Sequence, residues 1–226
     1  MSSIQAILFD VIGTLVDEDA AWTDAAARLS GSTDPAEGEA LRAQWAQLLD
    51  ERMRAVVRGD SPWRPHRELV AESALEAANA AGGPLPPDAL QSIANIDDRM
   101  SAWPDVAEGT AALRRRHLVA GLSNGDLSSL ARLANSNAIS WDTALSTSAV
   151  RTFKPDPAAY RYAIDELRLD PQRTLFAAAH PWDLRAAALH GFRTAFIGRP
   201  GAERPSAEDR FDFEVSDLHE LVRVLM

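Results

Sequence analysis

Five side chains have the types and positions to do chemistry together: Asp10, Ser123, Asn124, Lys154 and Asp183. Each follows a strand-like run. Asp10 closes "AILF", Ser123 and Asn124 close "LVAGL", Lys154 comes shortly after "TALSTS", and Asp183 comes shortly after "TLFAAAH". A carboxylate, two polar donors, a cation and a second acid suit covalent catalysis with Asp10 as the nucleophile. Lys154 would hold Asp10 ionised, because an opposite charge within a few ångströms favours the charged form. The chain has no cysteine and no serine–base pair to compete for the nucleophile's role.

These residues converge only if the strands before them lie parallel in one sheet, where carboxyl ends gather ligands and chemistry. The pattern from about residue 104 supports this. Helical "VAEGTAALRRRH", strand "LVAGLSNG", helix "DLSSLARLANSN", strand "TALSTS", helix "PAAYRYAIDELRL", strand "TLFAAAH", helix "WDLRAAALHG", strand "RTAFIG" and strand "FDFEVSD" follow in turn, before a last helix "LHELVRVLM". Strands alternating with helices imply a doubly wound α/β fold. Residues 4–9 supply the first strand, and no strand is expected between 19 and about 97. That stretch reads as helices over 19–30, from a cap among Ser32, Thr33 and Asp34 to Gly59, and over 66–81, with a fourth after Pro86-Pro87. Leu41, Trp45, Leu48, Leu49, Met53 and Val56 recur at helical spacing. The expectation is a catalytic core of residues 1–16 and 98–226 with a helical cap at 17–97.

Composition narrows the function. The 226 residues carry 33 acidic and 23 basic side chains, a formal charge of −10, which argues against a general nucleic-acid binder. No apolar run approaches the ~20 residues of a membrane span. The start, Met-Ser-Ser-Ile, shows no secretory pattern, so a cytoplasmic protein is expected.

The motifs "FDVIGTL", "LSNG", "FKPDPAAY" and "HPWDL", in this order and at these separations, resemble the haloacid dehalogenase superfamily. Lys154 followed six residues on by Tyr160, with an apolar residue at position 12, is most similar to the L-2-haloacid dehalogenases. Phosphatases of the superfamily carry a second aspartate where this chain has Ile12. That acid protonates an alkoxide leaving group, whereas a halide leaves as a stable anion. The resemblance implies a Rossmann-like core and hydrolysis of short 2-haloalkanoic acids to 2-hydroxy acids through an ester on Asp10, with no metal and no cofactor. Thr14 would hydrogen-bond Asp10. Lys154, Tyr160 and Asp183 would orient Asp10 and the hydrolytic water. Ser123 and the backbone at Val11 and Ile12 would bind the substrate carboxylate, and Asn124 would help cradle the halide. The expected partner is a small 2-haloacid, without nucleic acid or membrane, and a homodimer is left open.

The chain departs from this pattern twice. The family carries an arginine directly after a cap tryptophan to take up the halide; here the pair is Trp45-Ala46, and Arg42 lies one turn earlier. The serine and asparagine often found before the last motif are Ala178 and His180, and His180 could assist water activation. Thr14 also suits turn geometry and Tyr160 also suits core packing. Another hydrolase of the superfamily, including a phosphatase with an atypical first motif, and a non-catalytic ligand-binding relative are the rival readings.

Overall fold

The computed structural model describes residues 4–82, 93 and 95–226. Its centre is a six-stranded parallel sheet. The strands are β1 (Ala6–Phe9), β4 (Leu118–Ser123), β5 (Thr143–Ser146), β6 (Thr174–Ala178), β7 (Arg193–Ile197) and β8 (Phe213–Val215), in the spatial order β5-β4-β1-β6-β7-β8. A short antiparallel pair, β2 (Val16–Asp17) and β3 (Ser101–Ala102), stands apart. Helices α1 (Glu18–Ser30), α2 (Pro35–Val57) and α3 (His66–Ala80) lie between β2 and β3 in the chain. Helices α4 (Val106–Arg114), α5 (Leu127–Asn137), α6 (Pro157–Leu167), α7 (Pro181–Ala188) and α8 (Leu218–Leu225) alternate with the later strands.

The central strand explains itself. All four residues of "AILF" are buried, as a parallel strand covered on both faces requires. Ile7 and Phe9 face one apolar layer, shared with α4, α8 and the α1–α3 helices; Leu8 faces the other, with Ala159, Tyr160 and Phe176. β1 pairs with β4 on one side and β6 on the other, Phe9 standing level with Gly121 and Ala177. The chain runs from β1 outward through β4 and β5, then returns to build β6, β7 and β8 on the opposite side. β1 therefore ends at the switch point, where a crevice opens beyond the strand ends.

The helices between β2 and β3 follow the expected signals. Asp17 caps α1, Gly31 at φ 62° ends it, and Asp34 caps α2 with Pro35 in its first turn. Trp22 and Trp45 pack with ring centroids 4.3 Å apart and planes tilted by 33°, and the Trp45 indole donates to the Val70 carbonyl at 3.0 Å. The β2–β3 pair was not expected from the sequence. It ties the exit from the first turn to the return into the sheet. The helix expected after Pro86-Pro87 lies outside the described residues. No described helix is long and apolar enough to cross a membrane.

Candidate active site

The chain turns back immediately after β1. Gly13 takes φ +82°, a left-handed conformation suited to glycine, and its amide donates to the Val16 carbonyl at 3.0 Å. The turn sets Thr14 beneath Asp10. Thr14 Oγ1 donates to Asp10 Oδ2 at 2.7 Å and accepts from the Ala179 amide at 2.9 Å. The other Asp10 oxygen, Oδ1, accepts from Lys154 Nζ at 2.7 Å. Lys154 Nζ also reaches Asp183 Oδ2 at 2.5 Å, and the Tyr160 hydroxyl donates to Asp183 Oδ1 at 2.5 Å. Asp10, Thr14, Lys154, Tyr160 and Asp183 are all buried. The structure thus brings together the five residues expected to form the catalytic group.

Charge follows from this packing. Burial alone would raise the Asp10 carboxyl, but the Lys154 ammonium, His180 and the bonds from Lys154 and Thr14 outweigh it. Asp10 is held below the usual carboxylate range. Burial lifts Asp183 above that range against the pull of Lys154, and the Asp10 charge adds to the rise. For Lys154, desolvation is overcome by the two carboxylates, which hold the ammonium charged beyond its ordinary range. Burial and then the Asp183 charge keep the Tyr160 phenol protonated. One ammonium shared by two carboxylates leaves Asp10 an ionised carboxylate held by two hydrogen bonds, one on each oxygen.

A cavity of about 280 Å³ opens above Asp10. Its floor is Asp10, Ile12, Ser123, Asn124, Lys154 and His180. Trp22, Arg42, Ala46, Leu49 and Met53 from α1 and α2 form much of its roof, with Trp182 beside His180. Ser123 Oγ accepts from the Gly125 amide at 3.1 Å, which leaves its hydroxyl proton for a ligand. Asn124 Oδ1 accepts from the Lys154 amide at 2.7 Å, so the carboxamide's donor end is turned the other way, 4.0 Å from Met53 Sδ. Val11 is fully buried, its side chain lying against Gly121; only its backbone can serve the cavity. Arg42 lines the cavity but forms an ion pair with Asp19. Ala46 lines it one turn further along α2.

Two acids and two histidines complete the setting. His180 Nε2 lies 3.7 Å from Asp10 Oδ2 and 3.3 Å from the Ile12 carbonyl, which is a partner only when Nε2 carries a proton. The Glu18 carboxyl shares the space over Gly13 with this ring: a Cβ on Gly13 would sit 2.6 Å from His180 Nε2 and 3.0 Å from Glu18 Oε1. Burial raises the Glu18 carboxyl, the His180 charge opposes the rise and the Asp10 charge reinforces it. Across the cavity His66 Nδ1 meets Asp97 Oδ2 at 3.1 Å, with both side chains buried. Desolvation would push the His66 imidazole down, but Asp97 raises it above its ordinary value.

The haloacid dehalogenase-like hydrolase family model matches residues 4–191. The chain belongs to this family. As a haloacid dehalogenase-like hydrolase it is an enzyme, similar over its length to proteins named for 2-haloacids. It is 32% identical over 214 residues to the (S)-2-haloacid dehalogenase of Xanthobacter autotrophicus, covering 91% of this chain and 79% of that one. It is 28% identical over 226 residues to (S)-2-haloacid dehalogenase 4A of Burkholderia cepacia, covering 98% and 94%. The crystal structure of the L-2-haloacid dehalogenase PA0810 superimposes with a TM-score of 0.87 at 35% identity, covering 99% of each chain.

Sequence reasoning missed a buried support behind this hydrolase's site. Arg199 Nε donates to the Thr14 carbonyl at 2.9 Å, and its Nη1 reaches both oxygens of Asp105 at 2.8 and 2.9 Å. Asp105 Oδ2 also accepts from the Leu218 amide at 2.6 Å, linking the turn after Asp10 to α8. A signal existed, since Arg199 follows β7 at its carboxyl end, the position that singled out Asp10 and Ser123. Glu18, His66 and Asp97 gave no comparable signal. Glu18 begins a helix where acids are ordinary, and His66 and Asp97 meet only through the fold.

Proposed function

We propose that this enzyme hydrolyses short 2-haloalkanoic acids to 2-hydroxy acids through an ester on Asp10, without a metal, and that residues 17–97 form its cap. The observation that carries this reading is the state of Asp10. It is an ionised carboxylate, fixed at both oxygens by Lys154 and Thr14, facing a cavity that has Ile12 where an acid for an alkoxide leaving group would stand. Both named relatives and the superimposed structure carry 2-haloacid names, which supports the substrate class.

In the first step an Asp10 oxygen attacks the substrate's α-carbon from the side opposite the halogen. The C–O bond forms as the carbon–halogen bond breaks, and halide leaves with the bonding pair. The Asn124 amide on the floor and Arg42 on the roof are the donors that would receive it, while Ser123 and the backbone after Asp10 hold the carboxylate. Lys154 turns Asp10 so that its attacking lone pair points upward, and stays to stabilise the ester. In the second step water adds to Cγ of the ester, and His180 takes its proton. The protonated ring then gains the Ile12 carbonyl as an acceptor and the Glu18 carboxylate as a neighbour. Collapse of the tetrahedral intermediate breaks the bond to the substrate's oxygen, which takes the proton back from His180 and leaves as the 2-hydroxy acid with inverted configuration; the remaining carboxyl proton passes to solvent and restores the Asp10 carboxylate.

Single turnover in oxygen-18 water tests this. Label is expected in the Asp10 peptide by mass spectrometry, with the first product molecule unlabelled. A labelled first product with an unlabelled Asp10 peptide would mean direct attack by water. Turnover of a phosphoester that depends on magnesium would replace the whole reading.

A further inference from the structure

A 2-haloacid brings a full negative charge into a cavity already lined by five carboxylates, Asp10, Glu18, Asp19, Asp50 and Asp97. The cations there are mostly committed. Lys154 is shared between Asp10 and Asp183, and Arg42 is clasped by Asp19, while His180 serves the hydrolytic water in the reading above. Ser123 and backbone amides offer dipoles but no charge. One positive group remains to be assigned.

We propose that His66, oriented by Asp97, is the cationic half of the site that receives the substrate's carboxylate, opposite Ser123. The inference rests on the 2-haloacid reading above and extends it to a residue outside the catalytic group. Three placements support it. His66 lines the cavity although its side chain is buried. Its partner oxygen, Asp97 Oδ2, reaches over the turn that Ser123 begins: a Cβ on Gly125 would find Ser123 Oγ at 3.4 Å and Asp97 Oδ2 at 3.8 Å. The imidazole also stands edge-on to Phe153, the residue before Lys154, at 6.4 Å between ring centroids. His66 is thus bracketed by the ends of β4 and β5, the two strand ends that carry Ser123 and lead into Lys154.

The ring's own bonding points the same way. Nδ1 is committed to Asp97, and Nε2 makes no hydrogen bond among the described residues. A protonated ring therefore presents one unused N–H. Asp97 Oδ1 accepts no hydrogen bond among the described residues, while Oδ2 meets the His66 ring. His66 is also the first residue of α3, an end where a cation opposes the helix dipole. Helix stability gains nothing from a charged histidine there, whereas an arriving carboxylate does.

The test is equilibrium binding by calorimetry of propionate, an unreactive acid of the substrate's shape, and of its neutral amide propionamide. The proteins are the wild type, His66→Gln and Asp97→Asn. His66→Gln is expected to weaken propionate about tenfold and to leave propionamide within twofold. Asp97→Asn leaves the ring in place and removes the charge that holds it protonated, so it is expected to weaken propionate selectively even if His66→Gln folds poorly. Equal weakening of acid and amide would reduce His66 to a wall of the cavity and overturn the proposal. So would unchanged propionate binding in both variants, or no propionate binding to the wild type. Propionate is not turned over, so these outcomes are independent of a halide-release assay. Absence of halide release from every haloacid sinks the dehalogenase reading and leaves the carboxylate site measurable.

Discussion

Replacing Lys154 by methionine removes one ammonium from between two buried carboxylates. The stem keeps its volume, so the change is electrostatic. The side chains of Lys154, Asp10 and Asp183 are 2%, 6% and 0% exposed, which leaves little solvent to screen the loss. Breaking a buried ion pair by deleting one partner costs about 3–5 kcal/mol. For a chain of this size each kcal/mol moves the melting temperature by roughly 2–4 °C, so a fall of roughly 6–20 °C is expected. The pH dependence carries the mechanism. In the wild type the Asp10 pKa is lowered by folding, so its contribution is present above the unfolded value of about 3.9 and is lost as pH falls through the lower folded value. Lys154 is raised, so its contribution is lost only as pH climbs through a value above about 10.4. Neither is lost between pH 5 and 8. In Lys154→Met, burial acts without the cation, so Asp10 joins the already raised Asp183 in binding protons more tightly in the folded state, and stability falls more steeply with rising pH than in the wild type. Thermal unfolding of both proteins across pH 5 to 8 reads this directly. A variant that loses under about 1 kcal/mol, or whose melting temperature follows the wild-type pH trend, would show that Lys154 does not hold the two carboxylates as described.

Gly13→Ala forces a left-handed backbone on alanine and drives a methyl into His180, so a loss of about 2 kcal/mol is expected by thermal unfolding. If the displaced ring serves the hydrolytic step as proposed, mass spectrometry of that variant should show ester accumulating on Asp10. Ala46→Arg should raise halide release by up to about 10²-fold and Arg42→Ala should lower it, as measured with a halide electrode on 2-chloropropionate. No effect from either would mean that α2 does not face the leaving group. Exhaustive chelation should leave halide release unchanged; activity that vanishes and returns with magnesium would contradict the metal-free step.

The parallel sheet was legible because "AILF", "LVAGL" and "LFAAA" are uninterrupted apolar runs, each followed at once or within a few residues by a polar side chain that lines the site. The same rule placed Asp10, Ser123, Lys154 and Asp183 in one site, since parallel strands of similar length end together. The β2–β3 pair escaped notice because two residues on each side make no periodic signal. His66 and Asp97 are 31 positions apart and meet through the α1–α3 segment, whose packing no local pattern encodes. The ion pair of Arg42 with Asp19 was likewise invisible, for it depends on how α1 and α2 cross. Helical phase showed which face of α2 is buried but not which cation on its rim finds an acid.

The position of β1 also sets the order in which the molecule can be made. Asp10 is synthesised well before the partners of its strand, yet that strand is the middle of the sheet. Its hydrogen-bonding partners begin only at Leu118 and Thr174. For most of synthesis "AILF" is an apolar strand with both edges open. Loop closure over such spans is slow, and open edges invite pairing with other chains. The helices of residues 18–80, with their local contacts, can form while β1 waits. Nascent chains stalled before residue 118 should therefore hold folded helices beside an unpaired first strand. Expression should be limited more by protection of that strand during translation than by the stability of the finished enzyme.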